Sequence, residues 1–233
     1  MAWLEVTSMA KHYGDQIVLN DVSFSVRQGE VGLIGPNGAG KTTLLEAVAG
    51  LLPAEHGAVT WQKQPIEQSR RRDVLFYVPE GIRPYGDQHV TRVLTFMAGV
   101  YRRPAGYLRD LVQTLGLQPV LVKRVDTLSK GYNRRLLLAL GFLAPHPVLL
   151  MDEPFDGFDL KQTREMMALF RRVAADGRTL VLSIHQLNDA ERVCDRFILL
   201  SGGTSRGSGT LSELRAKVSS DRASLEDVFL ALA

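Results

Sequence analysis

The sequence predicts an α/β fold in which a buried, mainly parallel sheet is preceded by a small antiparallel β layer and interrupted by an inserted α-helical sub-domain. Residues 148–151 and 179–184 are almost unbroken apolar runs, and residues 161–175 between them read as a helix. Together they make a βαβ unit with strands covered on both faces. Residues 3–7 and 22–26 instead alternate apolar with polar side chains, as half-buried antiparallel strands do. Between about residues 81 and 145 the pattern is helical, with turns marked by Arg83-Pro84, Arg103-Pro104 and Gln118-Pro119. At 233 residues, 45% of them apolar and 23% charged, the chain is large enough for one good-sized core with such an insertion.

In chain order, the alternating strands 3–7 and 22–26 are joined by a third at 57–61, which completes the antiparallel layer. Residues 30–34 form a short apolar strand that runs into a glycine-rich loop, and residues 42–49 follow as a helix. After the helical insertion come the strands 148–151, 179–184 and 196–200. Gly202-Gly203 and the glycines of 207–209 then punctuate a hairpin-like end, and 211–233 reads as one amphipathic helix. The whole of 1–233 is read as one domain. Residues 1–80 and 146–210 form the core with its antiparallel layer, 81–145 the helical sub-domain and 211–233 a C-terminal helical tail.

A net charge of +3 gives little reason to expect a polyanionic partner. Arg102-Arg103, Arg134-Arg135 and Arg171-Arg172 are scattered through helical segments and read as solvated helix faces, so no nucleic acid is expected. Arg70-Arg71-Arg72 is denser, but beside Asp73 and ahead of a strand it receives no role. Cys194, the one cysteine, cannot close an internal disulfide and belongs to no metal-ligand cluster, which fits a reducing compartment. The segment Met1-Ala2-Trp3-Leu4-Glu5-Val6 has no basic lead or apolar signal core. The longest apolar stretch, residues 136–144, is far short of the ~18 residues that span a bilayer. The expectation is a soluble chain whose membrane role, if it has one, comes through a partner.

Chemistry enters with Gly35-Pro36-Asn37-Gly38-Ala39-Gly40-Lys41-Thr42, which reads G-x-x-x-x-G-K-[ST] between a predicted strand and a predicted helix. Glycines let the backbone wrap phosphates with its N–H groups, and the helix start adds partial positive charge. Lys41 supplies a cation for the outer phosphates, Thr42 a hydroxyl for Mg²⁺, and Thr43 belongs to the same binding turn. The strand 148–151 ends in Asp152-Glu153, at the strand end where open α/β sheets place ligands. Asp152 suits the Mg²⁺ held by Thr42, and Glu153 is the candidate base for the water that attacks the last phosphate. Leu128-Ser129-Lys130-Gly131 precedes a long apolar helix. That could be a second anion site or simply a helix N-cap.

A loop of the form L-S-x-G, shortly before a strand ending in Asp-Glu and after a phosphate loop, resembles the ATP-binding subunits of ABC transporters over nearly the whole chain. The resemblance implies a P-loop NTPase (RecA-like) core and an Mg-dependent ATPase with ATP and Mg²⁺ as cofactors. It implies that Tyr13 stacks on adenine and that Glu80 stands at the Q-loop near Mg²⁺. Asp159 would end the loop Asp156-Gly157-Phe158-Asp159, and His185, after Ser183-Ile184, would contact the terminal phosphate. It further implies that Ser129 and Gly131 act on ATP held by a second copy, so that two subunits close head to tail. An integral membrane subunit would dock on residues 80–101 through Arg83, Tyr85 and Phe96, keeping the chain cytoplasmic at the inner face of the membrane.

This sequence departs from the pattern at Glu80, usually glutamine, at Lys130, usually glycine, at Tyr132, usually glutamine, and at Phe158, usually leucine. Glu80 and the ending Ser224-Leu225-Glu226-Asp227-Val228-Phe229-Leu230 resemble the exporter ATPases for drugs and polysaccharides. The ending also reads as a helix packing Leu225, Val228 and Phe229 on the core. The alternatives are a soluble ABC ATPase serving as an assembly factor and a nucleotide-binding regulator without turnover, although Glu153 and His185 speak against the latter.

Overall fold

The computed structural model describes residues 3–233, so Met1 and Ala2 of the N-terminal segment lie outside it. The antiparallel layer consists of β1 (Trp3–Tyr13), β2 (Gln16–Arg27), β4 (His56–Trp61) and the short β5 (Gln64–Pro65), in the order β2-β1-β4-β5. The second sheet contains β3 (Gly29–Ile34), β6 (Leu75–Val78), β7 (Val148–Asp152), β8 (Thr179–Ile184), β9 (Arg196–Ser201) and β10 (Thr204–Gly209), in the order β10-β9-β3-β8-β7-β6. It is parallel except for β10, which returns antiparallel to β9 through Gly202 and Gly203, both at positive φ.

Helix α1 (Lys41–Ala49) lies between the two sheets, where Leu44, Leu45 and Val48 join the core with Val31, Leu33, Leu4 and Val6. On the opposite face of the parallel sheet pack α2 (Val90–Val100), α3 (Ala105–Thr114), α4 (Lys130–Leu143), α5 (Leu160–Ala175) and α6 (Leu187–Val193). Strand β7 shows why its sequence is an unbroken apolar run. Val148 and Leu150 enter the core containing α1, while Leu149 and Met151 enter the core containing α4 and α5. Side chains that alternate between two covered faces leave no solvent-facing position before the strand ends at Asp152. Among the described residues no helix is long and apolar enough to cross a membrane.

Two expectations are corrected. Residues 211–233 form α7 (Leu211–Lys217) and α8 (Leu225–Leu232) rather than one helix. Between them Ser219 adopts φ 53°, and Ser224 starts α8 with a capping box: its hydroxyl accepts from the Asp227 N–H at 3.1 Å while Asp227 accepts the Ser224 N–H at 2.9 Å. Capping side chains of this kind compete with helix continuation, and they outweigh the apolar period that joins the two segments. Leu225 and Val228 are buried against the core. The second correction concerns Arg134, which is 3% exposed and not on a solvated face. Arg71 is buried as well and donates to the Ala47 carbonyl at 2.6 Å, near the end of α1. An apolar-period argument registers such arginines only as polar and cannot see carbonyls supplied from elsewhere in the chain.

Glu30, on β3, is 4% exposed, and its Oε1 has no hydrogen-bond partner. Burial, reinforced by the neighbouring Asp195 charge and opposed by Arg171, raises its pKa to about 7. Between the ordinary carboxyl range and pH 7 the folded chain holds a proton that the unfolded chain releases, so this group makes stability fall as pH rises through that window. Glu30→Gln is expected to raise unfolding stability at pH 8 by about 1–3 kcal/mol and to change it little at pH 4.5, measured by chemical denaturation at both values.

Candidate active site

Parallel pairing brings the predicted functional residues together. Strands β3, β8 and β7 are neighbours, with Ile34 opposite Ile184 and Asp152 opposite Ser183. Their carboxyl ends therefore deliver the loop from Gly35, the His185 segment and Asp152-Glu153 to one edge of the sheet. Strand β6, with Val78 opposite Met151, adds Pro79 and Glu80 beside them.

These strand ends and the tip of the antiparallel layer enclose an open cavity of about 610 Å³. Tyr13, Asn37, Gly38, Gly40, Lys41, Thr42, Thr43, Glu80, Glu153 and His185 line it, as do Gln16, Val18, Lys130 and Asp156. Gly40 has φ 98°, and a Cβ there would stand 2.9 Å from the Val18 carbonyl, so only glycine fits the turn into α1. No side chain caps the first turn of α1 at Gly40, which leaves its N–H groups available to an anion at the cavity floor. Around Gly38, at φ 81°, a Cβ would meet nothing within 4 Å, so the loop leaves room there for a ligand.

Lys41 is 7% exposed and folds back on its own loop, donating to the carbonyls of Gly35 at 2.8 Å and Pro36 at 3.2 Å. Its ammonium lies 4.0 Å from Glu153 Oε1. Burial pulls its pKa down, and the nearby Glu153, Asp152 and Glu80 charges oppose that shift. Ala39, buried behind the loop, donates its N–H to the Pro36 carbonyl at 3.2 Å and keeps the turn closed.

Asp152, 2% exposed, lies beneath the cavity and collects hydroxyls. Its Oδ2 accepts from Thr42 Oγ1 at 2.7 Å and from the Tyr77 hydroxyl at 3.4 Å, and its Oδ1 accepts a short hydrogen bond from Ser183 Oγ. Glu153 follows in the left-handed region at φ 47°, a conformation that costs a non-glycine residue on the order of 1 kcal/mol. Its N–H donates to Ser183 Oγ at 3.0 Å, and its Oε2 lies 2.6 Å from His185 Nδ1. Burial first, then Asp156, Asp152 and Glu153, raise the pKa of Glu80, against the opposing Lys130 charge. Thr42, Asp152 and Glu80 offer hard oxygen donors of the kind that suits Mg²⁺ with phosphate and water completing its shell. Among the described residues no group of three or more His, Cys, Asp or Glu side chains forms a metal site of its own.

The structure does not bring Ser129 and Gly131 into this cavity lining. Ser129 is exposed and caps α4, accepting from the Tyr132 N–H at 3.4 Å, while Lys130, between Ser129 and Gly131, reaches Asp156 Oδ2 at 2.5 Å. Asp159, at the end of the loop after β7, caps α5 by accepting from the Gln162 N–H at 2.8 Å. Sequence reasoning assigned no role to Ser183, Tyr77 or Arg134. Ser183 is a fully buried hydroxyl in an otherwise apolar strand, and that isolated polar position was the available signal. Nothing comparable marked Arg134. Its Nη1 donates to the Pro79 carbonyl at 2.9 Å and its Nη2 makes a short hydrogen bond to the Asp152 carbonyl, while burial lowers its pKa to about 10. It is a cation at neutral pH. Burying it costs several kcal/mol, which charge-assisted bonds of about 1.5–3 kcal/mol each offset.

A family model described as ABC transporter matches residues 19–156. An uncharacterized ABC transporter ATP-binding protein of Methanocaldococcus jannaschii is 30% identical over 220 residues, covering 92% of this chain and 80% of that protein. The Nod factor export ATP-binding protein I of Bradyrhizobium diazoefficiens is 33% identical over 210 residues, covering 86% of this chain and 68% of that protein. A solved ATP-binding subunit of an ABC transporter superposes with a TM-score of 0.89 at 31% identity and covers 98% of both chains.

The hydroxyl of Ser183 serves both acidic residues at the end of β7. Ser183→Ala should leave Asp152 Oδ1 and the Glu153 N–H without that partner and lower unfolding stability by about 1–3 kcal/mol. Denaturant titration of the variant beside the parent chain measures the loss.

Proposed function

The chain belongs to the ABC transporter family as an ATPase subunit coupled to transport, and on that premise we propose that it powers export by closing head to tail with a second copy around ATP and Mg²⁺. The observation that carries this reading is the single cavity in which the phosphate loop, Glu153 and His185 meet. Ser129, exposed and outside that lining, is free to face another molecule, which supports an assignment of Ser129 and Gly131 to the nucleotide of the second copy. The name of the Nod factor relative supports the direction of transport.

In this reading the loop N–H groups and Lys41 hold the triphosphate, with Lys41 exchanging the Gly35 and Pro36 carbonyls for phosphate oxygens. Tyr13, half exposed at the cavity rim, offers its ring face to the base. Thr42, Asp152 and Glu80 would hold Mg²⁺, which when bound neutralises charge on the outer phosphates. Glu153 takes a proton from the water that attacks the terminal phosphorus, and the bond to the bridging oxygen breaks with release of ADP. His185, oriented by Glu153, faces the same phosphate. Loss of that phosphate removes the group shared by the two copies and lets them separate. The membrane subunit docks near residues 80–101, where Tyr85 and Phe96 are 55% and 56% exposed with ring centroids 6.3 Å apart. The chain then resides at the cytoplasmic face through that partner.

Glu153→Gln should bind ATP with unchanged affinity, lose at least about 100-fold in turnover and accumulate a dimer when ATP is added, followed by phosphate release and light scattering. Wild-type turnover would remove Glu153 from its role, and a persistent monomer would remove the dimer. Lys41→Ala should weaken equilibrium ATP binding by about 10- to 100-fold, read by titration with labelled nucleotide.

A further inference from the structure

We propose that Arg134 is the positioning residue of Glu153: its guanidinium fixes the Asp152–Glu153 peptide and ties the aim of that carboxylate to the loop 79–83. The inference rests on the reading of Glu153 as the base.

The geometry is a clamp on one peptide group. Arg134 Nη2, from α4, donates to the carbonyl of that peptide, and Ser183 Oγ, from β8, accepts its N–H at 3.0 Å. The clamped residue needs holding, because Glu153 has φ 47°, a backbone conformation that glutamate rarely adopts unaided. In this geometry its Oε2 reaches His185 at 2.6 Å and its Oε1 lies 4.0 Å from Lys41. Release of the peptide would let the backbone relax toward negative φ and swing the carboxylate off this line.

The same guanidinium has a second tie. Its Nη1 donates to the Pro79 carbonyl at 2.9 Å, one residue before Glu80. Asn133, its neighbour on α4, donates to the Ile82 carbonyl at 2.7 Å, and Arg83 reaches back to the Asp126 carbonyl at 2.9 Å. Loop 79–83 and the start of α4 are therefore tied to each other, and Arg134 is the group among these ties that touches the peptide before Glu153. Arg134 itself does not line the cavity, so it acts through Glu153 and not on the nucleotide. Its Nε has no partner and it forms no ion pair among the described residues, so the two carbonyls are the contacts that give the buried charge its function. A lysine ammonium cannot reproduce the planar fork that reaches both.

The test compares the full chain with Arg134→Met, Arg134→Lys, Glu153→Gln and the Arg134→Met, Glu153→Gln double variant. Turnover is expressed per nucleotide-binding site titrated at equilibrium. Arg134→Met is expected to bind ATP within about threefold of the parent while kcat per site falls at least tenfold, and the double variant to be no slower than Glu153→Gln alone, because the two act as one unit. Arg134→Lys is expected to recover part of that kcat. Parental kcat per site in Arg134→Met overturns the proposal, and so does a parallel loss of affinity and kcat, the signature of a merely structural role. Should the methionine variant fail to fold, Arg134→Lys decides alone: a three- to tenfold fall in kcat at unchanged affinity supports the proposal, and parental kcat overturns it. Turnover surviving in Glu153→Gln would overturn the underlying reading as well, whereas its loss together with a fully active Arg134 variant overturns the clamp only.

Discussion

Asp152 is the carboxylate on which the phosphate loop, β7, β8 and β6 converge. It is 2% exposed and accepts from Thr42, Ser183 and Tyr77, one hydroxyl each from the start of α1, the end of β8 and the end of β6. A buried carboxylate without such donors would be costly, so these bonds and the fold stabilise each other. The strand order makes the convergence possible: only adjacent parallel strands β3, β8, β7 and β6 place their carboxyl ends side by side, with Asp152 in register with Ser183. Both apolar cores exist on either side of these strands, and the site inherits its rigidity from them.

Charge is the reason the proposed nucleotide would need a cation beside it. Asp152, Glu153, Asp156 and Glu80 crowd one side, and together with burial they raise the pKa of Glu80. Lys41 and Lys130 answer them from the cavity wall, and Arg134 from beneath. A triphosphate alone would add negative charge to this cluster. A divalent ion held by the hard oxygen donors gathered at Thr42 and Asp152 would, as proposed, offset that charge.

The architecture was legible in the sequence because its signals are local. The unbroken runs in β7 and β8, the alternation in β1 and β2 and the glycine loop before α1 each need only neighbouring residues. The split of the C-terminal tail is also local, in Ser219 and the Ser224 to Asp227 box, but an apolar period runs across it and masks the capping signal. Of the candidate site, Lys41, Thr42, Asp152, Glu153 and His185, each picked out by motif spacing, lie within reach of one another. Ser183 and Tyr77, which donate to Asp152, stayed hidden, and so did Arg134, whose partners are backbone carbonyls far along the chain. Arg134 lies 55 residues from Pro79 and 18 from Asp152. A carbonyl has no residue type, so no pairwise pattern of side chains can announce the contact.

That hidden layer separates binding from control. The proposed phosphate recognition uses backbone N–H groups and a lysine carried on one short loop, whose ties to the rest of the site run through Thr42 to Asp152 and Lys41 to Glu153. The aim of Glu153 instead depends on one peptide group held from α4 and β8, and α4 is itself bonded to the loop 79–83 through Asn133 and Arg134. The contacts of the helical insertion therefore extend to the peptide that carries Glu153. If Glu153 is the base proposed above, a subunit built this way would keep its nucleotide while that carboxylate is re-aimed through α4.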